Sequence, residues 1–223
     1  SFHGGTLSSA NLDDISAIEN WTMKDDVSAK LTLANGNIAD GKSLTIDARS
    51  SVNTANVFAV VGTAETNGAL TVHGITGADT ITGTASDLGD TLYGYAGADT
   101  FTFAVDNLTT LDTVDGGAGT DIVNLATSAG TLADADFTNF SNVETLKFTS
   151  IASTDTDLGA QFVEAGFTTI SLANATNDLN LDSVTTAQTL VLSTGVDTVD
   201  ASSMTAALTV KAVSAAVLGT DTL

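Results

Sequence analysis

The sequence has no cysteine, no proline, few aromatic residues and only six Lys and Arg, and each shortage closes a class of function. Without cysteine there is no disulfide framework, no structural thiolate zinc site and no thiol nucleophile. Six basic residues stand against 27 acidic ones, giving a formal charge of −21 over 223 residues. Such a chain has no electropositive surface to neutralise phosphates, so nucleic acid is excluded as a partner, and anionic membrane surfaces are disfavoured for the same reason. No run of about 18 apolar residues occurs, so no membrane insertion is expected.

What is present argues for a folded chain. Hydrophobic residues make up 43% of the sequence, too many for an acidic disordered segment. Aromatics are only 5%, and Ala, Val, Leu, Ile and Thr dominate. Side chains of that size each bury little area, which suits thin, repetitive β-layers better than a thick globular core.

Two internal repeats organise the chain. In the shorter one, Gly74-Ile75-Thr76-Gly77-Ala78-Asp79-Thr80-Ile81-Thr82 lies over Gly94-Tyr95-Ala96-Gly97-Ala98-Asp99-Thr100-Phe101-Thr102 and over Gly116-Gly117-Ala118-Gly119-Thr120-Asp121-Ile122-Val123-Asn124. Two weaker copies, Gly89-Asp90-Thr91-Leu92-Tyr93 and Leu111-Asp112-Thr113-Val114-Asp115, keep the Asp-x-apolar end and stand nine residues before Asp99 and Asp121. The longer repeat pairs Asp14 to Met23 with Asn139 to Phe148, each a turn entering an alternating strand, and sets Trp21 opposite Leu146 as a core position. Further strands are expected at Leu44 to Asp47, Ala69 to Val72, Thr169 to Leu172, Thr189 to Leu192 and Leu208 to Val210, between turns rich in Ser, Thr, Asn, Asp and Gly. Only Leu132 to Phe140 and Leu158 to Ala165 offer room for a helical turn or two. Asp47-Ala48 resembles Asp200-Ala201-Ser202-Ser203, and Gly219-Thr220-Asp221-Thr222-Leu223 reads as the start of another block, so the chain is expected to be a segment of a longer repeating protein.

The nonapeptide divides its labour. Six residues form a turn, in which glycine permits positive φ and lets backbone carbonyls converge, and three form a short strand whose apolar residue points inward. With two nonapeptides per turn of a parallel β-roll, Asp79, Asp99 and Asp121 stack in one ladder, and Asp90 and Asp112 in the other. Ile81, Leu92, Phe101, Val114 and Val123 then form the apolar spine. Carboxylates stacked at roughly 4.8 Å repel one another without a cation, and carboxylates with loop carbonyls make the hard oxygen set that Ca²⁺ takes more readily than Mg²⁺. The plain alternative is that each Asp is a turn former bonding its own backbone; five in register weigh toward a metal.

The full copy, Gly116 to Asn124, resembles the calcium-binding RTX repeat, Gly-Gly-x-Gly-x-Asp-x-apolar-x, of proteins exported by type I secretion; the first copy has Ile75 and the second Tyr95 in place of the second glycine. The match covers about a quarter of the chain. The remainder, including Asn139-Phe140-Ser141-Asn142-Val143-Glu144-Thr145-Leu146 and Val199-Asp200-Ala201-Ser202-Ser203-Met204, is similar in texture to bacterial surface-layer proteins of the Caulobacter type. The resemblance implies an all-β parallel β-solenoid with very little helix. Its expected parts are a β-strand-repeat segment at 1–71, a calcium-binding β-roll at 72–125 and a second strand-repeat segment at 126–223. It implies Ca²⁺ as the cofactor, held by Asp79, Asp90, Asp99, Asp112 and Asp121 with the loop backbone of Gly74, Thr76, Gly77, Gly94, Ala96, Gly97, Gly116, Ala118 and Gly119. It also implies an extracellular protein at the surface of a Gram-negative cell, self-assembling into a lattice or filament and anchored to outer-membrane polysaccharide through another part of the parent chain.

No catalytic constellation competes with this reading, and a non-enzyme is expected. His3 and His73 are the only imidazoles, and His73, between Val72 and Gly74 at a strand end, reads as a solvated histidine and not as a triad base. Nothing selects a glycosidase pair among 27 acids. The tripeptides Asn20-Trp21-Thr22, Asn107-Leu108-Thr109, Asn139-Phe140-Ser141 and Asn174-Ala175-Thr176 fit a glycosylation pattern that so Thr-rich a chain produces by chance. The alternative from another class is the calcium-binding repeat region of an exported adhesin or enzyme whose functional domain lies elsewhere in the parent chain.

Overall fold

The computed structural model describes residues 5–12, 14–24, 26–126, 131–149, 156–172 and 177–212. His3, Asn174-Ala175-Thr176 and Gly219 to Leu223 lie outside the described residues. The rest form a parallel β-solenoid. One ten-stranded sheet contains, in spatial order, Gly5–Leu7, Ala29–Thr32, Phe58–Val61, Asp79–Thr82, Thr100–Phe103, Ile122–Leu125, Thr145–Phe148, Thr169–Ser171, Gln188–Leu192 and Leu208–Ala212. Facing it, a six-stranded sheet stacks Asn20–Thr22, Ser43–Asp47, Ala69–His73, Thr91–Tyr93, Thr113–Asp115 and Phe140–Ser141. Beyond it a three-stranded sheet of Thr156–Asp157, Asn177–Asn180 and Asp197–Asp200 continues the C-terminal coils. The long sheet runs through all three segments expected from the sequence without a break at 71/72 or 125/126.

Each coil lays one strand in the long sheet and one in the six- or three-stranded sheet, and in the nonapeptide block it returns after about two nonapeptides, as the hydrogen bonds from Asp79 to Asp99 and from Asp99 to Asp121, 20 and 22 residues apart, record. The alternation of the strands decides what faces inward. On the long sheet Leu31, Val60, Ile81, Phe101, Val123, Leu146, Ile170 and Leu190 stack in register and are buried. On the facing sheet Ile46, Val72, Leu92, Val114 and Phe140 do the same. The five residues expected to form one spine therefore form two ladders that meet in the core. Each buried aliphatic or aromatic side chain contributes roughly 1.5–3 kcal/mol.

The outward positions explain the abundance of threonine. Thr80, Thr100, Thr145, Thr169, Thr189 and Thr209 share one outward row of the long sheet, interrupted by Ile122. Thr45, Thr71, Thr91 and Thr113 line the outer face of the other sheet. A β-branched hydroxyl side chain suits a pleated surface with one side in water.

Two expectations change. Trp21 and Leu146, set opposite each other by the longer repeat, lie in different sheets: Trp21 pairs with Ile46, Leu146 with Val123 and Ile170. Trp21 is only half-buried against the core, because its strand is an edge of the six-stranded sheet. The core is also thicker than small side chains suggest near residue 140. There the 3₁₀ turn Asp134–Phe137 and the helix Ala160–Ala165, both inside the expected helical stretches, bring together Phe137, Phe140, Phe162 and Phe167. Phe162 stacks on Phe167 at 4.8 Å, and Phe137 meets Phe140, Phe162 and Phe167 edge-on at 5.2–6.0 Å. This plug fills the solenoid where the six-stranded sheet ends.

Candidate metal centre

The turns carrying the nonapeptides are shaped by backbone contact that only glycine allows. The loops 94–99 and 116–121 lie in parallel register, Ala96 beside Ala118 and Gly97 beside Gly119, with the Ala118 amide donating to the Tyr95 carbonyl at 2.7 Å. A Cβ on Gly119 would sit 1.5 Å from the Gly97 oxygen, one on Gly97 2.6 Å from the Gly77 oxygen, and one on Gly77 2.3 Å from the Asn56 oxygen. The fourth-position glycines thus stack as a column in which each carbonyl oxygen presses on the next Cα. Tyr95 at the second position holds φ at 69°, the left-handed value that glycine adopts at Gly117 (90°).

The acids stack as the repeat predicts: Asp79, Asp99 and Asp121 form one ladder, Asp90 and Asp112 the other. What holds each rung is a neighbour's backbone. Asp99 Oδ1 accepts the Asp79 amide at 2.7 Å, and Asp121 Oδ1 accepts the Asp99 amide at 2.8 Å. Glu144 Oε2 continues the row by accepting the Asp121 amide at 2.7 Å. On the other side Asp90 Oδ1 accepts the Leu70 amide at 2.7 Å and Asp112 Oδ1 the Asp90 amide at 2.6 Å.

The remaining carboxylate oxygens separate the two ladders. Asp90 Oδ2 takes the Thr84 amide at 2.7 Å and Asp112 Oδ2 the Thr109 amide at 2.7 Å, with the threonine hydroxyls adding to both carboxylates. These two acids are closed by their own chain, the turn-forming role that competes with metal binding. In the first ladder Asp99 Oδ2 and Asp121 Oδ2 are buried and have no partner. Asp79 Oδ2 takes the Ile75 amide at 2.8 Å, while its Oδ1 has no partner within hydrogen-bond geometry. The Phe58 amide, opposite Asp79 in the sheet register, nevertheless pulls the Asp79 pKa down in part. By register that amide is the next step of the ladder, so Asp79 Oδ1 counts as approached and the free oxygens as those of Asp99 and Asp121.

Each free oxygen faces a cradle above a first-position glycine. A Cβ on Gly94 would lie 2.2 Å from Asp99 Oδ2 and 2.7 Å from the Gly116 carbonyl oxygen. One on Gly116 would lie 2.6 Å from Asp121 Oδ2 and 2.1 Å from the Asn142 oxygen. Gly74 sits in the same way beneath Asp79 Oδ2 and the Tyr93 oxygen. Thr76 is half-buried with its Oγ1 unpartnered, whereas Ala118 and Gly119 lie at the exposed lip of their loop.

Burial dominates the electrostatics. It pushes the Asp79 carboxyl up to about 8, and Asp90 and Asp99 to about 6, with donor amides pulling each back and the next acid in the ladder adding to the rise. Asp112 and Asp121 are raised for the same first reason, Asp121 further by the charges of Glu144 and Asp115. Among the described residues no three His, Asp or Glu side chains gather around one point. The donors are therefore single carboxylates joined by backbone carbonyls, an all-oxygen set that fits Ca²⁺ and gives nothing to a metal requiring nitrogen or sulfur. Asp99 with the Gly116 carbonyl, and Asp121 with the Asn142 carbonyl, would hold the ion, which would supply the positive charge that the buried oxygens lack.

Other acids of this chain serve as backbone acceptors that the repeat does not reveal. The buried Glu65 accepts the amides of Gly36, Ile38 and Asn67. Asp26 gathers Val52, Asn53, Ser51 and Asn56, and Asp134 caps the helix Ala160–Ala165 through the amides of Gly159, Gln161 and Phe162. Asp197, held by Asn177 and Ser193, repeats the closed arrangement of Asp90 in the C-terminal coils. Acid-Thr-apolar triplets, Glu144-Thr145-Leu146 and Asp197-Thr198-Val199, are the signal by which these rungs are found. His73 is half-buried instead of solvated: it stacks on Tyr93 at 5.1 Å, and its Nδ1 pairs with the Tyr95 hydroxyl at 2.8 Å. The matching pair Asp47-Ala48 and Asp200-Ala201 forms the same turn, each Asp Oδ1 accepting the amide two residues on.

These observations define the class: a parallel β-solenoid with two carboxylate ladders, one with every oxygen hydrogen-bonded and one that keeps unpartnered oxygens on Asp99 and Asp121. Compared with known proteins, the chain matches no family model, no curated protein and no solved structure.

Proposed function

We propose that this chain is a structural segment of a secreted, calcium-dependent assembly, a surface layer or a related extracellular sheet or filament of a Gram-negative cell. The observation that carries the reading is the pair of buried, unpartnered oxygens of Asp99 and Asp121, each in an oxygen-lined cradle above a glycine. A buried carboxylate without a counter-charge destabilises the fold, and calcium removes that penalty. In a low-calcium cytosol the acidic chain repels itself and folds only in part, which suits export through a narrow channel. Outside the cell, ions that bind only the folded form stabilise it by mass action. Extracellular calcium modules work at dissociation constants of about 10⁻⁴ to 10⁻³ M. Stacked weak sites then act together as a folding switch, and calcium bridging between acidic faces joins neighbouring copies.

The test is far-UV circular dichroism during calcium titration and chelation, followed by electron microscopy of the calcium-loaded protein. The expected result is a gain of β-structure in the millimolar range and growth of sheets or filaments. Complete folding after chelation, unchanged up to ~10 mM calcium, overturns the reading. Calcium-driven folding that leaves a dispersed monomer overturns the assembly.

A further inference from the structure

The open ladder continues past the last nonapeptide by a shorter route. Ser141 stands beside Asp115 and Thr145 beside Ile122, so Asn142, Val143 and Glu144 cross the gap that Gly116 to Asp121 crosses in the preceding coil. Asn142 takes the left-handed turn, φ 54°, that Tyr95 and Gly117 take in the nonapeptides. Glu144 stands where the next Asp belongs, and its longer side chain makes the same bond to the amide below, 2.7 Å to Asp121 against 2.8 Å from Asp121 to Asp99. Between these coils lies the second of the two free oxygens. Asp121 is 0% exposed, its Oδ2 has no partner, and that oxygen converges with the Asn142 carbonyl above Gly116.

We propose that this gap is a distinct calcium site, closed by the Glu144 carboxylate together with Asp121 Oδ2 and the Asn142 carbonyl. It rests on the calcium reading of the ladder but adds a ligand from outside the nonapeptides. The two carboxylates and the carbonyl form a hard oxygen set of the kind Ca²⁺ takes, the same pair of charges that Asp99 and Asp121 bring to the gap below. The site also has a distinct consequence. The Glu144 carbonyl accepts the amides of Thr168 and Thr169, and the Val143 amide donates to the Ala165 carbonyl. An ion here ties the nonapeptide block to the C-terminal coils and their phenylalanine plug, so calcium order passes from one half of the solenoid to the other.

The test uses the full chain, with calcium counted by calorimetry and amide protection followed by hydrogen exchange. In the wild type, calcium should protect residues 142–146 and 165–169 as well as 94–121. Glu144→Gln keeps an oxygen for the Asp121 amide but removes the charge. It should bind one ion fewer and need about tenfold more calcium to protect residues 142–146, with protection near Asp99 kept. An unchanged ion count and midpoint in Glu144→Gln, beside a wild type that binds calcium, overturns this site and leaves the ladder reading standing. A wild type that binds no calcium overturns both. If Glu144→Gln does not fold, the wild-type exchange decides: calcium protection that stops at Asp121 overturns the site.

Discussion

Asp99 holds the amide of Asp79 at 2.7 Å with one carboxylate oxygen and leaves the other buried without a partner. The first oxygen does the work of folding and the second is kept for a cation, so a substitution can separate the two. In Asp99→Asn the amide oxygen still accepts from Asp79, while the new NH₂ sits where the free oxygen was, close to the Gly116 carbonyl. Without calcium this variant should melt a few degrees above the wild type, because a buried charge costing about 1–3 kcal/mol is gone. With calcium in excess it should gain much less than the wild type, which gains about 2.7 kcal/mol per site at a hundred times the dissociation constant. Differential scanning calorimetry with and without calcium reads both effects; equal calcium gains in the two proteins would sink the assignment.

The ladder also sets a pH dependence whose sign reverses the usual one for carboxylates. Asp90 and Asp99, raised to about 6, and Asp79, raised to about 8, bind protons in the folded state at pH values where the unfolded chain, at 3.8, has lost them. The native state then binds more protons than the unfolded one, so stability falls as pH rises from the ordinary carboxylate value through these raised values. The metal-free protein should therefore melt higher at about pH 5 than at about pH 8. Calcium held at Asp99 displaces the proton that burial keeps there, so binding should tighten over this range and acidify an unbuffered solution. Melting curves on resin-stripped protein check the first statement; metal-free stability that climbs between those pH values would refute it.

The closed ladder predicts an opposite pattern. Asp112 spends both oxygens on amides, Asp90 in the coil below and Thr109 within its own turn. Asp112→Asn must turn its NH₂ toward one of these donors and leave a buried amide unbonded, a loss of about 1–3 kcal/mol. For a chain of this size that lowers the melting temperature by roughly 2–4 °C per kcal/mol. The loss should be the same with and without calcium, and the ion count should not change. A calcium-dependent loss would show that Asp112 shares in binding after all.

The period of this fold was legible because its rule is local. Asp-x-apolar steps placed Asp79, Asp99 and Asp121 in one stack and sent Ile81, Phe101 and Val123 inward, and the backbone follows that register. The division between the open and closed ladders was not, because Thr84 and Thr109 look like any turn residues until their amides are seen on Asp90 and Asp112. Glu144 was hidden by its shortened loop, which breaks the nonapeptide while keeping the rung. The phenylalanine plug has no period at all: Phe137, Phe140, Phe162 and Phe167 meet only because a helix fills the end of the six-stranded sheet. Much of the acidity also proved to be structural, in acids such as Glu65, Asp26 and Asp134 that cap turns, a use that charge counting does not separate from metal binding.

The glycine column gives the sharpest test of the loop geometry. Gly119 has no room for even a methyl group, since a Cβ would stand 1.5 Å from the Gly97 oxygen, a backbone atom that moves only if the loop moves. Gly119→Ala must therefore push the loop 116–121 away from 94–99 and spread the carbonyls that share the cradles with Asp99 and Asp121. The change should cost about 1–3 kcal/mol in the metal-free protein and raise the calcium midpoint as well. Gly36→Ala is the proper comparison. Gly36 also holds a positive φ, 86°, but nothing lies within 4 Å of its would-be Cβ, so only the backbone strain of about 1–2 kcal/mol is expected and the calcium midpoint should stay put. Paired titrations followed by circular dichroism distinguish the cases: if both variants lose stability alike and both keep the wild-type midpoint, the stacked loops do not form the site.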